Sequence, residues 1–422
     1  MDEICYLNII PEEITKYIIS LIKNKVFDLC LINHYFNNNC KIIRIVDNFK
    51  YPKITDIMLN SLINLTSLDL YNNDIITDKG IKGLINLTSI NLYANLRITA
   101  IGTKELTNIT SLNLNYNKLV TDEGIKGLIN LKLLDLTNNN KITDQGIENL
   151  TNLTSLNLRR NVKVTDNGIR ELINLNFLEL RENDIITDEG IKGLTNLTSL
   201  NLTYNNIITY EGIKASTNLT SLSLQENHKI TDERIKGLIN LTSLELFGNE
   251  IITDEGIKGL INLTSLSLKN NNKITNEGIT SLVNLTSLDL SYHNNITNEG
   301  IIGLTNLTSL NLNYNKLVTD EGIKGLINLK SLDLTNNHKI TDQGIENLTN
   351  LAFLDLHRNV KVTDNGIREL INLTSLKLGK NIIITNEGIK GLTNLTSLNL
   401  IENDKITDDD IKGSYNLISV NR

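Results

Sequence analysis

The sequence predicts an α/β solenoid: a curved arc of about seventeen coils of 22 residues, with a parallel β-sheet on its concave side and short helices on its convex side, preceded by a small α-helical head. Three observations predict it. The phrase TDEGIKGLINLKLLDLTNNNKITDQGIENL at 121–150 returns as TDEGIKGLINLKSLDLTNNHKITDQGIENL at 319–348, a separation of 198 residues, or nine times 22. A leucine-type residue opens the pattern LxxLxLxxN at Leu65, Leu87, Ile109 and every 22 residues on to Leu395, with a truncated copy at Leu417 and no insertion or deletion. Within each copy an apolar alternation is followed by apolar residues three apart, the period of a strand and then of a helix.

Counting each coil from its opening leucine, the stretch TSLNL alternates apolar and polar residues and reads as a half-buried strand. Asparagine at position nine (Asn73, Asn95, Asn117 and onward; His293 in one full coil) is expected to turn the chain and satisfy neighbouring backbone groups. In ITDEGIKGL the threonine at position thirteen reads as a helix N-cap, with acids in the first turn where the helix dipole favours them. That helix-terminal role is sufficient to explain the acids. Ile125 and Leu128, three apart, share one face of the short helix. The preceding glycine is poor helix material, so close nesting of adjacent coils is its expected reason. Strands about 4.8 Å apart would give a sheet on the order of 80 Å long.

The repeated LxxLxLxxN phrase resembles the leucine-rich repeat family over about 370 of the 422 residues. The ITDxGI phrase is similar to the cysteine-containing subtype, although the repeat is shorter and lacks the cysteine. The repeats are assigned to residues 53–422 and the head to 5–50. In the head, Pro11 sits at the first position of a helix, followed by Glu12 and Glu13 in the first turn. Ile14, Ile18, Leu21 and Ile22 make one apolar stripe, and a second helix is expected from Val26 to Phe36. The segment IIRIV at 42–46 reads as an irregular opening strand.

The head resembles the F-box, a three-helix motif that starts LPxEI. The matching residues are Ile10, Pro11, Glu13 and Ile14, then Ile18 and Leu21, then Phe27 and Leu29. Ile10 replaces the usual leucine, and Tyr35 and Phe36 stand where the motif has a late tryptophan-type anchor. The resemblance implies that these residues bind a Skp-type adaptor of a cullin ubiquitin ligase, and that the repeats recruit the protein to be ubiquitinated. The layout resembles the F-box/leucine-rich repeat proteins of mimivirus-like giant DNA viruses, and the Asn, Ile and Lys bias agrees with an AT-rich genome. The alternative is a stand-alone protein-binding scaffold whose head only caps the solenoid.

The net charge of −7 and pI of about 5.4 argue against a nucleic-acid partner. Cys5, Cys30 and Cys40 are too few and too odd for a disulfide framework. MDEICYLN has neither a basic region nor a cleavable apolar stretch, and no run approaches a membrane span. An intracellular protein is expected, in host cytoplasm or nucleus if viral, with no membrane partner. NLT or NIT recurs at twelve coil junctions, each formally a glycosylation sequon; without a signal peptide the asparagine is read as ending the helix.

Positions three, five, seven and eight face out over the concave sheet and are read as free to vary. Position three is serine except at Leu133, Phe177 and Phe353, while position seven scatters widely. The richest patch collects Arg159, Arg160, Phe177, Glu179, Arg181, Glu182, Tyr204, Glu226, Glu245 and Phe247; a second surrounds Phe353, Asp355, His357 and Arg358. Exposed Phe and Arg are favoured interface anchors. Residues 109–175 recur at 307–373 with seven differences in 67, four of them at positions three, five or seven, as expected of a copied segment whose surface then diverged. Thr103, Ser216, Ser414 and Arg234 break the coil pattern and are expected to cost core contact, with a joint near Tyr210 to Arg234. The final NLISVNR reads as a strand without a cap, an edge open to self-association. No metal spacing, CxxC pair, phosphate loop or nucleophile elbow occurs, so no enzyme activity and no cofactor is expected.

Overall fold

A computed structural model describes residues 42–44, 55–60, 62–292, 295–407, 411 and 416–421. The head residues Ile10 to Leu29, the three cysteines, His293 and Ser414 lie outside the described residues. The chain forms two compact units. Unit 1 runs to Leu197 and includes Glu211–Ser216; unit 2 comprises Thr198–Tyr210 and Thr217 onward. The boundary falls in the coils where the sequence pattern is most broken.

Unit 1 carries parallel strands β1 (Ile42–Arg44), β2 (Ser67–Asp69), β3 (Ser89–Asn91), β4 (Ser111–Asn113), β5 (Leu133–Asp135), β6 (Ser155–Asn157) and β7 (Phe177–Glu179). Unit 2 carries β8 (Ser199–Asn201), β9 (Ser221–Ser223), β10 (Ser243–Glu245), β11 (Ser265–Ser267), β12 (Ser287–Asp289), β13 (Ser309–Asn311), β14 (Ser331–Asp333), β15 (Phe353–Asp355), β16 (Ser375–Lys377), β17 (Ser397–Asn399) and β18 (Ser419–Asn421). In each unit neighbouring strands pair in one register, each residue opposite its equivalent in the next coil, as in Leu244 with Leu266. The expected opening strand is present as β1, opposite Ser67–Asp69.

The apolar positions one, four, six, twelve, seventeen and twenty fill the interior. In the fourth coil Leu131, Leu134, Leu136, Ile142, Ile147 and Leu150 are all buried. Fully burying each such side chain contributes about 1.5–3 kcal/mol, and no coil can do so without its neighbours.

Side-chain ladders join the coils. Buried Asn249, at position nine, accepts from Ile251 N and Ile252 N at 3.0 and 2.9 Å and donates through Nδ2 to Leu224 O and Asn227 O at 3.0 and 2.8 Å. It thus turns its own coil and satisfies two carbonyls of the preceding one, as the sequence predicts. Asn262, at a sequon position, donates to Ile239 O at 2.9 Å, and Thr264 Oγ1 donates to Thr242 O at 3.1 Å. Asn130 and Asn174, which are not in sequons, make the same bond as Asn262. The junction asparagines are therefore explained by coil stacking.

The acid at position fourteen does more than face a helix dipole. Asp254 Oδ1 accepts from Thr275 N at 2.8 Å, and Oδ2 accepts from Thr275 Oγ1 at 2.7 Å. The carboxylate of one coil thus holds the threonine that starts the next coil's helix. A Cβ at Gly256 would lie 2.5 Å from Asp232 Oδ1, so the glycine that follows two residues after the acid makes room for the acid of the coil before. Thr275 still caps its own helix, Asn276–Ile279, by accepting from Glu277 N. Ala100 replaces the acid in the second coil; in the third, Thr121 makes no side-chain cap bond and Asp122–Gly124 forms a 3-10 helix.

Candidate functional site

The polar face of each unit's sheet presents positions three, five, seven and eight. Serine at position three is half-exposed in most coils, whereas Leu133 and Phe177 are exposed apolar exceptions. Position five is not free. Its oxygen accepts the N–H of position seven, as in Asp69 to Tyr71 (3.0 Å), Asn157 to Arg159 (3.0 Å) and Asp333 to Thr335 (2.8 Å). This bond bends the chain off the strand, which explains why Asp and Asn dominate there. Position eight is left-handed in all sixteen full coils, with φ from 47° at Ala94 to 59° at Gly248. Only Gly248 relieves that conformation with glycine.

In unit 1, three guanidinium groups converge on one carboxylate. Arg159 lies 3.5 Å and Arg181 3.3 Å from Glu182 Oε1, and Arg160 pairs closely with Oε2. Burial acts to raise the Glu182 pKa, but the hydrogen bond from Arg160 and the charges of Arg160, Arg159 and Arg181 outweigh it and hold the carboxyl below its ordinary range. Glu179 accepts the Arg181 backbone N–H at 2.8 Å. Phe177, 37% exposed, and Leu133, 47% exposed, lie on strands β7 and β5 of the same face, with Ser155 on β6 between them. An aromatic row precedes them: Tyr71 stacks on Tyr93 at 4.7 Å, and Tyr93 meets Tyr116 edge-on at 5.8 Å. Sequence reading missed this row because its members sit at two different coil positions.

In unit 2, Ser223 donates to Glu245 Oε2 at 3.0 Å and lies 2.8 Å from Thr203 Oγ1, and Gln225 also donates to Glu245. The Lys269 ammonium lies 5.3 Å from the Phe247 ring and 6.0 Å from Tyr292, which stacks on Tyr314 at 4.7 Å. Glu226 lies beside Gly248, and Tyr204 is exposed. The second patch is brought together: Lys377 bonds Asp355 at 3.0 Å and lies 5.0 Å from the Phe353 ring. Asp355 is buried. Burial raises the pKa of Asp333 on the adjacent strand, against the hydrogen bonds from Thr335 and together with the charge of Asp355. Burial lowers that of His357; Asp355 opposes this, and Arg358 and Lys380 reinforce it. The first predicted patch thus divides between the two units: Arg159, Arg160, Phe177, Glu179, Arg181 and Glu182 belong to unit 1, and Tyr204, Glu226, Glu245 and Phe247 to unit 2.

Among the described residues, no group of three or more His, Cys, Asp or Glu could hold a metal ion, and no helix is long and apolar enough to cross a membrane. On the helical side, Glu–Lys pairs three residues apart, such as Glu123 with Lys126 at 2.6 Å, are solvent-exposed and screened.

A family model described as Leucine Rich repeat matches residues 61–84, 105–129, 127–150, 149–173, 171–195, 193–215, 215–233, 237–261, 259–283 and 325–349, and a two-copy Leucine Rich repeats model matches 283–325. No curated protein matches the sequence. Among solved structures, one chain in the crystal structure of a TLR13–ssRNA13 complex is 25% identical with a TM-score of 0.62, over 86% of this chain and 60% of that one. This chain therefore spans about three-fifths of that structure. An internalin, inlF, from Listeria monocytogenes str. 4b F2365 is 26% identical over 87% of this chain and 89% of that one, with a TM-score of 0.35.

Proposed function

Because the chain belongs to the leucine-rich repeat family, we propose that it is a non-catalytic protein-recognition scaffold that takes its partner on the polar face of the sheet. One observation carries this reading. The coils share a near-invariant interior and regular ladders, while the sheet face collects Phe177, Phe247 and Phe353 and six of the seven described tyrosines. The RNA held by the TLR13 chain is not carried over, since a net charge of −7 opposes a phosphate backbone. The test is site-specific photocrosslinking with the full chain. A photoreactive residue at Ser221 or Ser265 on the sheet should trap a partner, whereas one at Ile239 or Ile261 on the opposite side of the coil should not. Adducts confined to the isoleucine positions, or none at either, would overturn the reading.

The head favours a more specific version. Ile10, Pro11, Glu13, Ile14, Ile18, Leu21, Phe27 and Leu29 match the F-box pattern, so the scaffold would recruit its target to a Skp/cullin-type ubiquitin ligase inside the cell. Binding of the full chain to a purified Skp-type adaptor, lost in a Pro11→Ala/Ile14→Asp variant with unchanged circular dichroism, is the expected result. A folded wild-type chain that does not bind would reduce the head to a cap.

A further inference from the structure

We propose that the arginine cluster of unit 1, with Leu133 and Phe177, docks an Asp or Glu side chain flanked by an apolar residue on a partner protein. The inference rests on the sheet-face reading and names the chemistry of its partner. Arg159, Arg160 and Arg181 converge on the carboxylate of Glu182, three positive charges around one negative. The three arginine side chains are 34, 47 and 36% exposed, while the Nε atoms of Arg159 and Arg181 are buried. Glu182 holds these long side chains in place before any partner arrives, which lowers the ordering cost of binding. A guanidinium fork matches a carboxylate in plane. Leu133 and Phe177 are exposed on β5 and β7 of the same face, where they offer apolar contact to the flanking residue. A polyphosphate strand fits less well, because beyond the cluster it would meet a chain whose net charge is −7.

The chain contains its own control. In the copied segment His357 stands where unit 1 has Arg159, and Ser331 where it has Leu133; one coil on, Gly379 and Ser375 correspond to Arg181 and Phe177. These coils fold with the same register and burial. The first pair must change together, since a Cβ at Gly379 would run into His357 Nδ1. The variant Arg159→His/Arg181→Gly therefore leaves Arg160 alone on Glu182, with the residues that these two positions carry in the second copy.

The experiment selects a displayed random-peptide library on the full chain at pH 8, where histidine is neutral. The expected peptides carry Asp or Glu beside Leu, Phe or another apolar residue. Their affinity should fall about tenfold or more in Arg159→His/Arg181→Gly, and also with added salt, while the thermal melt stays in place. Leu133→Ser/Phe177→Ser should lower it independently of salt. Peptides without acidic enrichment, acidic peptides indifferent to the arginine variant, no peptide at all, or cluster-dependent binding of a single-stranded oligonucleotide would each overturn the proposal. Peptides that ignore the cluster but are lost in Phe353→Ser or Tyr314→Ser would leave the sheet-face reading standing. Peptides indifferent to every sheet-face change would remove both.

Discussion

Ala94 holds a φ of 47°, a conformation that costs a residue with a Cβ about 1–2 kcal/mol. Its side chain is a single methyl, so little is lost by removing it. Ala94→Gly should therefore raise stability by about 0.5–1 kcal/mol after allowing for the greater freedom of glycine in the unfolded chain. Urea unfolding would show it, and a loss of stability would refute the assignment. Asp254 supports a prediction of opposite sign. Asp254→Ala leaves Thr275 N–H and Oγ1–H without their acceptor and should cost about 2 kcal/mol. Asp254→Asn should be nearly neutral, because Asn276 already does this work: its Oδ1 accepts from Thr297 N at 2.9 Å and its Nδ2 donates to Thr297 Oγ1 at 2.9 Å. No loss for Asp254→Ala would mean that the clamp contributes nothing, and equal losses for the two substitutions would mean that asparagine cannot replace the acid in it. The acid row was legible in the sequence as a periodic feature. Its partner was not, because the bond spans 21 residues and the helix dipole offered a nearer explanation.

At the level of one element, the helix Asp232–Ile235 shows how two departures from the repeat compensate one another. Arg234 stands where fourteen of the sixteen full coils keep glycine, and by itself it reads as lost packing. One coil earlier, Tyr210 replaces the acid that the glycine accommodates, and the Arg234 guanidinium lies 4.2 Å over the Tyr210 ring. The two changes thus form one unit 24 residues apart. Tyr210→Asp alone should destabilise by about 1–3 kcal/mol, since the new carboxylate meets the Arg234 Cβ. Arg234→Gly alone loses a stacked cation worth about 0.5–1 kcal/mol. The double variant should recover most of both losses, a coupling of at least about 1 kcal/mol in a double-mutant cycle; additive losses would show the sites to be independent. Thr103 and Ser216 likewise stay buried, with weak hydroxyl contacts to Thr99 O (3.4 Å) and Leu194 O (3.5 Å). Strand, turn and helix were legible coil by coil because each depends on residues close in sequence. The contact that offsets Arg234 was not legible, because its partner Tyr210 lies in the preceding coil.

On the scale of the whole molecule, the ladders between coils each span a constant sequence distance: 22 for strand partners, 21 for the acid clamp, 22 and 25 for the buried asparagine, 23 for the junction asparagine. This is why the period alone predicted the fold, and why it could not say which surface residues meet. Arg159, Arg160 and Arg181 were each visible in the sequence, but their convergence on Glu182 depends on the left-handed turn at position eight. The same constancy makes the chain divisible in whole coils. Deleting Leu263–Asn284 joins Asn262 to Leu285 and sets Asp254 against Thr297. The clamp then reforms with an acid where Asn276 stood, Gly300 makes room for that acid, and Asn227, Asn249 and the following coils keep their spacing. The shortened chain should keep its circular dichroism per residue and unfold cooperatively, less stable by about one coil's contribution. Deleting only half a coil, residues 263–273, removes a strand but leaves its helix, and every bond that spans the junction loses its spacing. That variant should fail to fold, and if it instead matched the whole-coil deletion, coil-to-coil register could not be what holds this molecule together.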